Sequence, residues 1–141
     1  MRALWSILTL IATNGLLAQT IPHPPQIVRL GVNPFTTIQT DAVQGVDKNE
    51  GGKNVLVWDK FGAKSKVNKD SVWGLWDNKG QLFRYYHHLF YKVADTTNGI
   101  TYQINRGVFS GRVIVSKTFI YSSKTLNSNL YQEIKHKPSE L

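Results

Sequence analysis

The tetrapeptide Asp77-Asn78-Lys79-Gly80 separates two runs rich in aromatic side chains and dictates how they pair. Asn78-Lys79-Gly80 suits a three-residue hairpin loop, a type I turn followed by a left-handed glycine. Pairing Asp77 with Gln81 sets the register: Trp76 opposite Leu82, Leu75 opposite Phe83, Gly74 opposite Arg84 and Trp73 opposite Tyr85. Strand side chains alternate between faces, so Trp73, Leu75, Phe83 and Tyr85 share an apolar face that belongs in a core. The other face carries Val72, Gly74, Trp76, Leu82, Arg84 and Tyr86. There Arg84 lies across from Gly74, whose missing side chain leaves room, with Trp76 and Tyr86 on either side. A guanidinium stacked on such rings is worth about 0.5–2 kcal/mol.

Further runs of Val, Ile, Tyr, Phe and Trp flank this hairpin. With it they make seven, at residues 54–58, 63–67, 71–76, 81–87, 89–94, 100–105 and 112–122, separated by Gly and Asn turns. The pattern predicts an all-β chain, an antiparallel meander forming a small barrel or sandwich. Asn98-Gly99 marks another tight hairpin. A two-residue loop there pairs Val93 with Ile104 and, further down the same face, Tyr91 with Arg106. Residues 107–111 read as a flexible glycine loop between strands. One short C-terminal helix is expected over residues 128–136, where Leu130, Tyr131 and Ile134 share a face and Pro138 ends it. Residues 19–52 form a Pro/Gly-rich lead-in, with Pro22, Pro24, Pro25 and Pro34 favouring extended backbone. It has room for one short strand at residues 27–30, and residues 47–52 read as a linker. The expected β domain is residues 53–134, followed by a tail at 135–141.

Residues 1–18 read as an export signal. Arg2 supplies a minimal positive start, residues 4–17 an apolar run broken by Ser6, Thr9, Thr13, Asn14 and Gly15, and Ala18 a small residue for cleavage. Gln19 is then the new N-terminus, although Leu16 departs from the small-x-small pattern. The alternative is a retained anchor, but the run is about fourteen residues long, short of the ~20 that a spanning helix needs. The mature chain is thus expected without a transmembrane span, in the periplasm, at the cell surface or outside the cell. Of seventeen Lys and Arg, sixteen remain once Arg2 is removed, against nine Asp and Glu, a net charge of +7. That balance favours an anionic envelope component, a glycan or an acidic protein over nucleic acid in this compartment. Solubility and edge-strand protection would use the same charge. There is no cysteine, which excludes disulfides, a lipid-bearing N-terminal thioether, thiol catalysis and thiolate metal sites.

Few residue groupings point to chemistry. Neighbouring strand residues face opposite ways, so His87-His88 cannot chelate one metal unless a turn or bulge separates them, and a polar turn is the reading preferred here. Gly107-Val108-Phe109-Ser110-Gly111 has its serine one position late for a nucleophile elbow. Gly51-Gly52-Lys53-Asn54 lacks the first glycine and the hydroxyl of a phosphate loop. The acids Asp41, Asp47, Glu50, Asp59, Asp70, Asp77 and Asp95 sit in turns or loops, where such residues are common, and no paired carboxylates stand out. Neither a cofactor nor a metal is expected. Lys60, Lys64, Lys66 and Lys69 cluster around the second run, with Lys64 and Lys66 on one face, as edge protection or as an anion-contacting patch beside Arg84.

Ser71-Val72-Trp73-Gly74 through Arg84, and Tyr121-Ser122-Ser123-Lys124-Thr125-Leu126, resemble small exported proteins of unknown function common in Bacteroidetes. In those, an aromatic-Gly hairpin with a D-x-x-G turn and a following arginine recurs, and a Tyr/Phe-Ser strand end precedes a short terminal helix. The likeness spans about residues 53–134 and implies no assigned activity. The spacing of Trp73, Gly74, Asp77 and Gly80 also looks like a single WG-type β repeat. The expected function is a non-enzymatic binding or structural module of the periplasm or cell envelope. Its expected contact surface is Trp76, Arg84 and Tyr86, extended by Tyr91, Arg106, Lys64 and Lys66. A small hydrolase or an enzyme inhibitor is the alternative. The two differ in what must be exposed: a hydrolase needs a pocket holding an acid or histidine, and the binding surface needs Trp76 and Arg84 at the surface.

Overall fold

The computed structural model describes residues 23–36 and 43–133. The expected export signal over residues 1–18, its cleavage site and the tail at 135–141 lie outside the described residues. The described residues form ten strands: β1 Gln26–Arg29, β2 Val43–Asp47, β3 Asn54–Asp59, β4 Lys64–Asn68, β5 Val72–Trp76, β6 Leu82–Tyr86, β7 Leu89–Asp95, β8 Ile100–Ser110, β9 Val113–Ser123 and β10 Tyr131–Gln132. A single 3-10 turn, Lys69–Ser71, joins β4 to β5. All strand pairs are antiparallel. A curled seven-stranded half-barrel has the order β1-β5-β6-β7-β8-β9-β10, and a three-stranded sheet has the order β2-β3-β4. The all-β meander is therefore present, and all seven runs read from the sequence contain strands. Among the described residues, no helix is long and apolar enough to cross a membrane.

The hairpin around Asp77 follows its expected register, with Gly74 paired to Arg84, Leu75 to Phe83 and Trp76 to Leu82. The Asp77 amide donates to the Gln81 carbonyl at 2.8 Å, and the Asp77 carboxylate accepts from the Lys79 and Gln81 amides. Gly80 has φ +73°, the left-handed conformation the turn requires. Alternation fails at Trp73. Opposite β1, Val28 pairs with Gly74 but Arg29 pairs with Val72, so Trp73 is the extra residue of a β-bulge. The bulge turns Trp73 to the arginine face, where it packs with Val28 and Leu82, and sends Val72 to the other.

Each face of the large sheet has its own cover. Ile27, Val72, Leu75, Phe83 and Phe90 pack against Val46, Val55 and Val57 of the small sheet. The arginine face is covered by the lead-in through Val32 and the buried Pro34, and by the C-terminal segment through Leu126 and Leu130. The described parts of the lead-in, residues 23–36 and 43–52, are thus part of the fold. The short strand expected at residues 27–30 is β1, and β2 brings Val46 into the core, so the folded unit begins before residue 53.

Two further expectations are corrected. The helix over residues 128–136 is not seen at 128–133. Instead Tyr131 pairs with Ser122, Gln132 with Tyr121, and the Glu133 amide donates to the Ile120 carbonyl at 2.9 Å. Leu130 is buried just before β10 and both β10 residues are exposed, while a nine-residue helix with Asn129 inside it would be marginal. Residues 107–111 are not a loop. β8 continues to Ser110 and pairs with β9 without a break from Ile100↔Ser123 to Ser110↔Val113, leaving Gly111 and Arg112 as the turn. Gly111 has φ +65°, which suits the first central position of a two-residue hairpin loop.

Gly74 is where the sheet tolerates least change. A Cβ there would run into the backbone carbonyl of Phe83 and crowd the Arg84 backbone. Gly74→Ala is expected to cost about 1–3 kcal/mol of unfolding free energy, read as a lower urea midpoint. Gly31→Ala, with nothing near its Cβ, should cost less despite its positive φ.

Candidate functional site

The residues first nominated for contact are mostly interior or tied down. Arg84 is only 6% exposed. Its guanidinium lies 5.1 Å from the Tyr86 ring, 5.7 Å from Tyr102 and 5.9 Å from Trp73, and donates to the Tyr102 hydroxyl at 3.4 Å. Tyr102 in turn bonds Ser123 at 3.2 Å, and Ser123 donates to the Thr125 carbonyl. The Trp73 indole donates to the Leu126 carbonyl at 2.9 Å. The expected arginine–aromatic stack is real on its Tyr86 side, but Trp73 and Tyr102 replace Trp76. Trp76 is half-buried under the lead-in, stacked on His23 at 4.0 Å and donating to the Pro34 carbonyl. The expectation of an exposed Trp76–Arg84 surface is corrected, because residues of the lead-in and of the segment after β9 fold over that face.

Tyr86 is half-buried, edge-on to Tyr91, which meets Tyr121 in the same way. Arg106 does reach Tyr91, donating to its hydroxyl at 3.3 Å, but by a diagonal contact. Val93 pairs with Tyr102 instead of Ile104, with a bulge between Val93 and Asp95. The cause is local: the Asp95 carboxylate accepts from the Thr97 amide and hydroxyl, which widens the turn beyond the two residues Asn98-Gly99. Lys64 and Lys66 are exposed on edge strand β4, paired with Trp58 and Leu56. The core side of that sheet is Val55 and Val57, so these lysines point outward from the layer on the far side of the large sheet from Arg84. They cannot extend one surface with it. His87 and His88 form the β6–β7 turn, both with positive φ and both exposed. Among the described residues, no group of three or more His, Cys, Asp or Glu is placed to hold a metal ion.

A concave site lies on the opposite face, between the β2–β3 turn and the middle of the large sheet. One rung of that sheet runs Phe83, Lys92, Gln103 across β6, β7 and β8. These three side chains face the small sheet, yet the small sheet does not reach them all. The remaining space is a cavity of about 350 Å³ lined by Lys48, Glu50, Gln81, Lys92, Gln103 and Asn105, with Phe83 and Phe90 beneath. A second, of about 370 Å³, shares Glu50, Phe90 and Asn105 with it and adds Lys69, His88 and Arg106. Three interactions hold the wall formed by the β2–β3 turn. The Lys69 ammonium donates to the Asn49 carbonyl at 2.7 Å, Lys48 sits 3.9 Å over the Phe83 ring, and Lys48 pairs with Glu50 at 3.6 Å. Burial lowers the Lys69 pKa, with the charges of Glu50 and Asp47 opposing. Lys92 has no carboxylate at ion-pair distance among the described residues. This site lies apart from the aromatic face expected from the sequence. Its sequence signal was a lysine and a glutamine at positions that alternation assigns to the core-facing side. Compared with family models, with curated proteins and with solved structures, the chain matches none.

Two measurements test this arrangement. Arg84→Lys is expected to lower stability by about 1–2 kcal/mol in urea unfolding, since a compact, strongly hydrated ammonium is less suited to a buried place among three rings than a planar guanidinium. An exposed contact arginine would leave stability unchanged. The second concerns alkaline pH. Burial raises the pKa of Tyr91 and Tyr85 above 10.0, so above that pH the unfolded chain loses phenolic protons that the folded chain keeps. Stability should therefore fall as pH rises past 10, and Tyr91→Phe should flatten the fall in urea midpoint measured against pH. Lys69 acts in the opposite sense below 10.5 and is common to both proteins.

Proposed function

We propose that the chain is an exported, non-enzymatic binding module of the periplasm or cell envelope, and that its ligand is an acidic glycan held in the groove beside Lys92. The observation that carries this reading is the rung Phe83–Lys92–Gln103: a cation with no carboxylate partner among the described residues, in a groove lined by amides and by Phe83 and Phe90. An ammonium answers a sugar carboxylate. The amides of Gln81, Gln103 and Asn105 offer donors and acceptors for hydroxyl groups, and the Phe90 ring offers an apolar floor. The residues 1–18 that read as an export signal, and the net charge of +7 after them, support an anionic partner outside the cytoplasm.

The test is retention of the full chain on immobilised polyuronate against neutral dextran, at low salt. Wild type should be retained on the polyuronate alone, and Lys92→Glu should bind roughly tenfold more weakly with an unchanged melting temperature. Equal retention of the two proteins would remove Lys92 from the site, and no retention of wild type would end the acidic-glycan reading. One observation favours a second reading, a small hydrolase: Glu50 borders both cavities and His88 borders one. Release of reducing ends from the same polysaccharide, lost in Glu50→Gln, would decide for it.

A further inference from the structure

The outer end of the β8–β9 hairpin buries nothing in the described fold. From Ile104 outward the two strands pair only with each other, seven rungs ending at Ser110↔Val113, an arm of roughly 20 Å. Its last rungs are apolar. Phe109 is 78% exposed, Ile114 63% and Val113 62%, while Val108 and Val115 are half-buried. Alternation puts the rung Phe109↔Ile114 on one face and the rungs Val108↔Val115 and Ser110↔Val113 on the other. Both faces of the tip are therefore apolar. A protein surface docked on one face would leave the other wet, whereas an apolar medium accepts both.

The charge is equally one-sided. Between Asp95 and Glu133 the chain has no acidic residue, and it carries Arg106, Arg112, Lys117 and Lys124. Arg106 and Lys117 are direct cross-strand partners, a juxtaposition that costs stability unless an anion lies nearby. A second copy of the chain would bring further like charges to the same place. We infer that the β8–β9 tip is a membrane-contact element that inserts Phe109, Val113 and Ile114 into the headgroup region of an anionic phospholipid surface. Arg106, Arg112 and Lys117 meet the lipid phosphates. Insertion is shallow. Arg112 sits in the turn itself and must keep its guanidinium at the phosphates, and the free strand edges need water or headgroups for their backbone groups.

Because the chain has no cysteine, a single Ser110→Cys substitution in the full chain takes one environment-sensitive dye at the tip. A dye at Lys79→Cys, in the β5–β6 turn, reports any binding through another part of the molecule. With vesicles of phosphatidylcholine and phosphatidylglycerol in equal parts, the tip dye should shift to the blue and the Lys79 dye should not. The shift should be absent on phosphatidylcholine alone and shrink in high salt. Adding Phe109→Ser with Ile114→Ser should weaken binding roughly tenfold with the far-ultraviolet spectrum unchanged. Lys92→Glu should leave it intact, which separates this element from the glycan groove. No blue shift on the mixed vesicles, or an equal shift at Lys79, overturns the inference. A shift that depends on protein concentration without vesicles overturns it in favour of self-association.

Discussion

A guanidinium buried with no carboxylate partner among the described residues is the feature around which this fold is arranged. Arg84 lies among Trp73, Tyr86 and Tyr102 with one phenolic acceptor. Arginine tolerates such a place because its charge is spread over a plane that rings can face and is weakly hydrated. Apart from Tyr86 of its own strand, what shields it comes from other parts of the chain. Gly74 lets the β5 backbone approach, the bulge turns Trp73 inward, and Tyr102 passes the contact through Ser123 to the C-terminal segment. With no disulfide available, this chain of contacts fastens the described lead-in and the segment after β9 to one face.

The other face is fastened by single polar side chains from turns. Asn78 exchanges two hydrogen bonds with the Val46 backbone, acting as a one-residue strand partner for β2. Lys69 extends to the Asn49 carbonyl, its ammonium 5.3 Å from the Phe90 ring. The Asp77 turn thus serves twice: its carboxylate closes the β5–β6 hairpin, and its neighbour Asn78 seats the small sheet. The groove beside Lys92 exists because that small sheet is held at its ends and stops short of the rung. Its shape follows from the same clamps that stabilise the layer.

How much of this could be read from residues alone depended on the range of the interaction. Turn chemistry that lies within four residues was legible: Asp77–Gly80 led to the correct register, and the histidine pair occupies a turn. Interactions between distant segments were not. The bulge at Trp73 is visible only opposite β1, some forty-five residues earlier in the chain. Even a local signal can be outbid by another: Asn98-Gly99 implied a two-residue loop, but Asp95 widened it and moved the β7–β8 register by two. The terminal helix failed because period 3.6 and period 2 cannot be separated over so few residues, and the free edge of β9 decided between them. The contact surface failed for the same reason as the bulge, since its cover comes from Pro34, Leu126 and Leu130.

The β8–β9 hairpin changes character along its length in a way that folding does not account for. Its inner half is ordinary core, with Tyr102 fully buried between strands and C-terminal cover. Past the Arg106↔Lys117 rung come Val108, Phe109, Val113, Ile114 and Val115, yet no other strand among the described residues pairs with this part of the hairpin. A hairpin needing only to close could have turned at that rung, and polar residues on the exposed ribbon would have kept it soluble. Two features that each cost free energy in the isolated chain, opposed cations and an uncovered apolar end, occur together on the same element. A medium that is anionic at one depth and apolar just beyond it relieves both at once, and a lipid headgroup layer has that order.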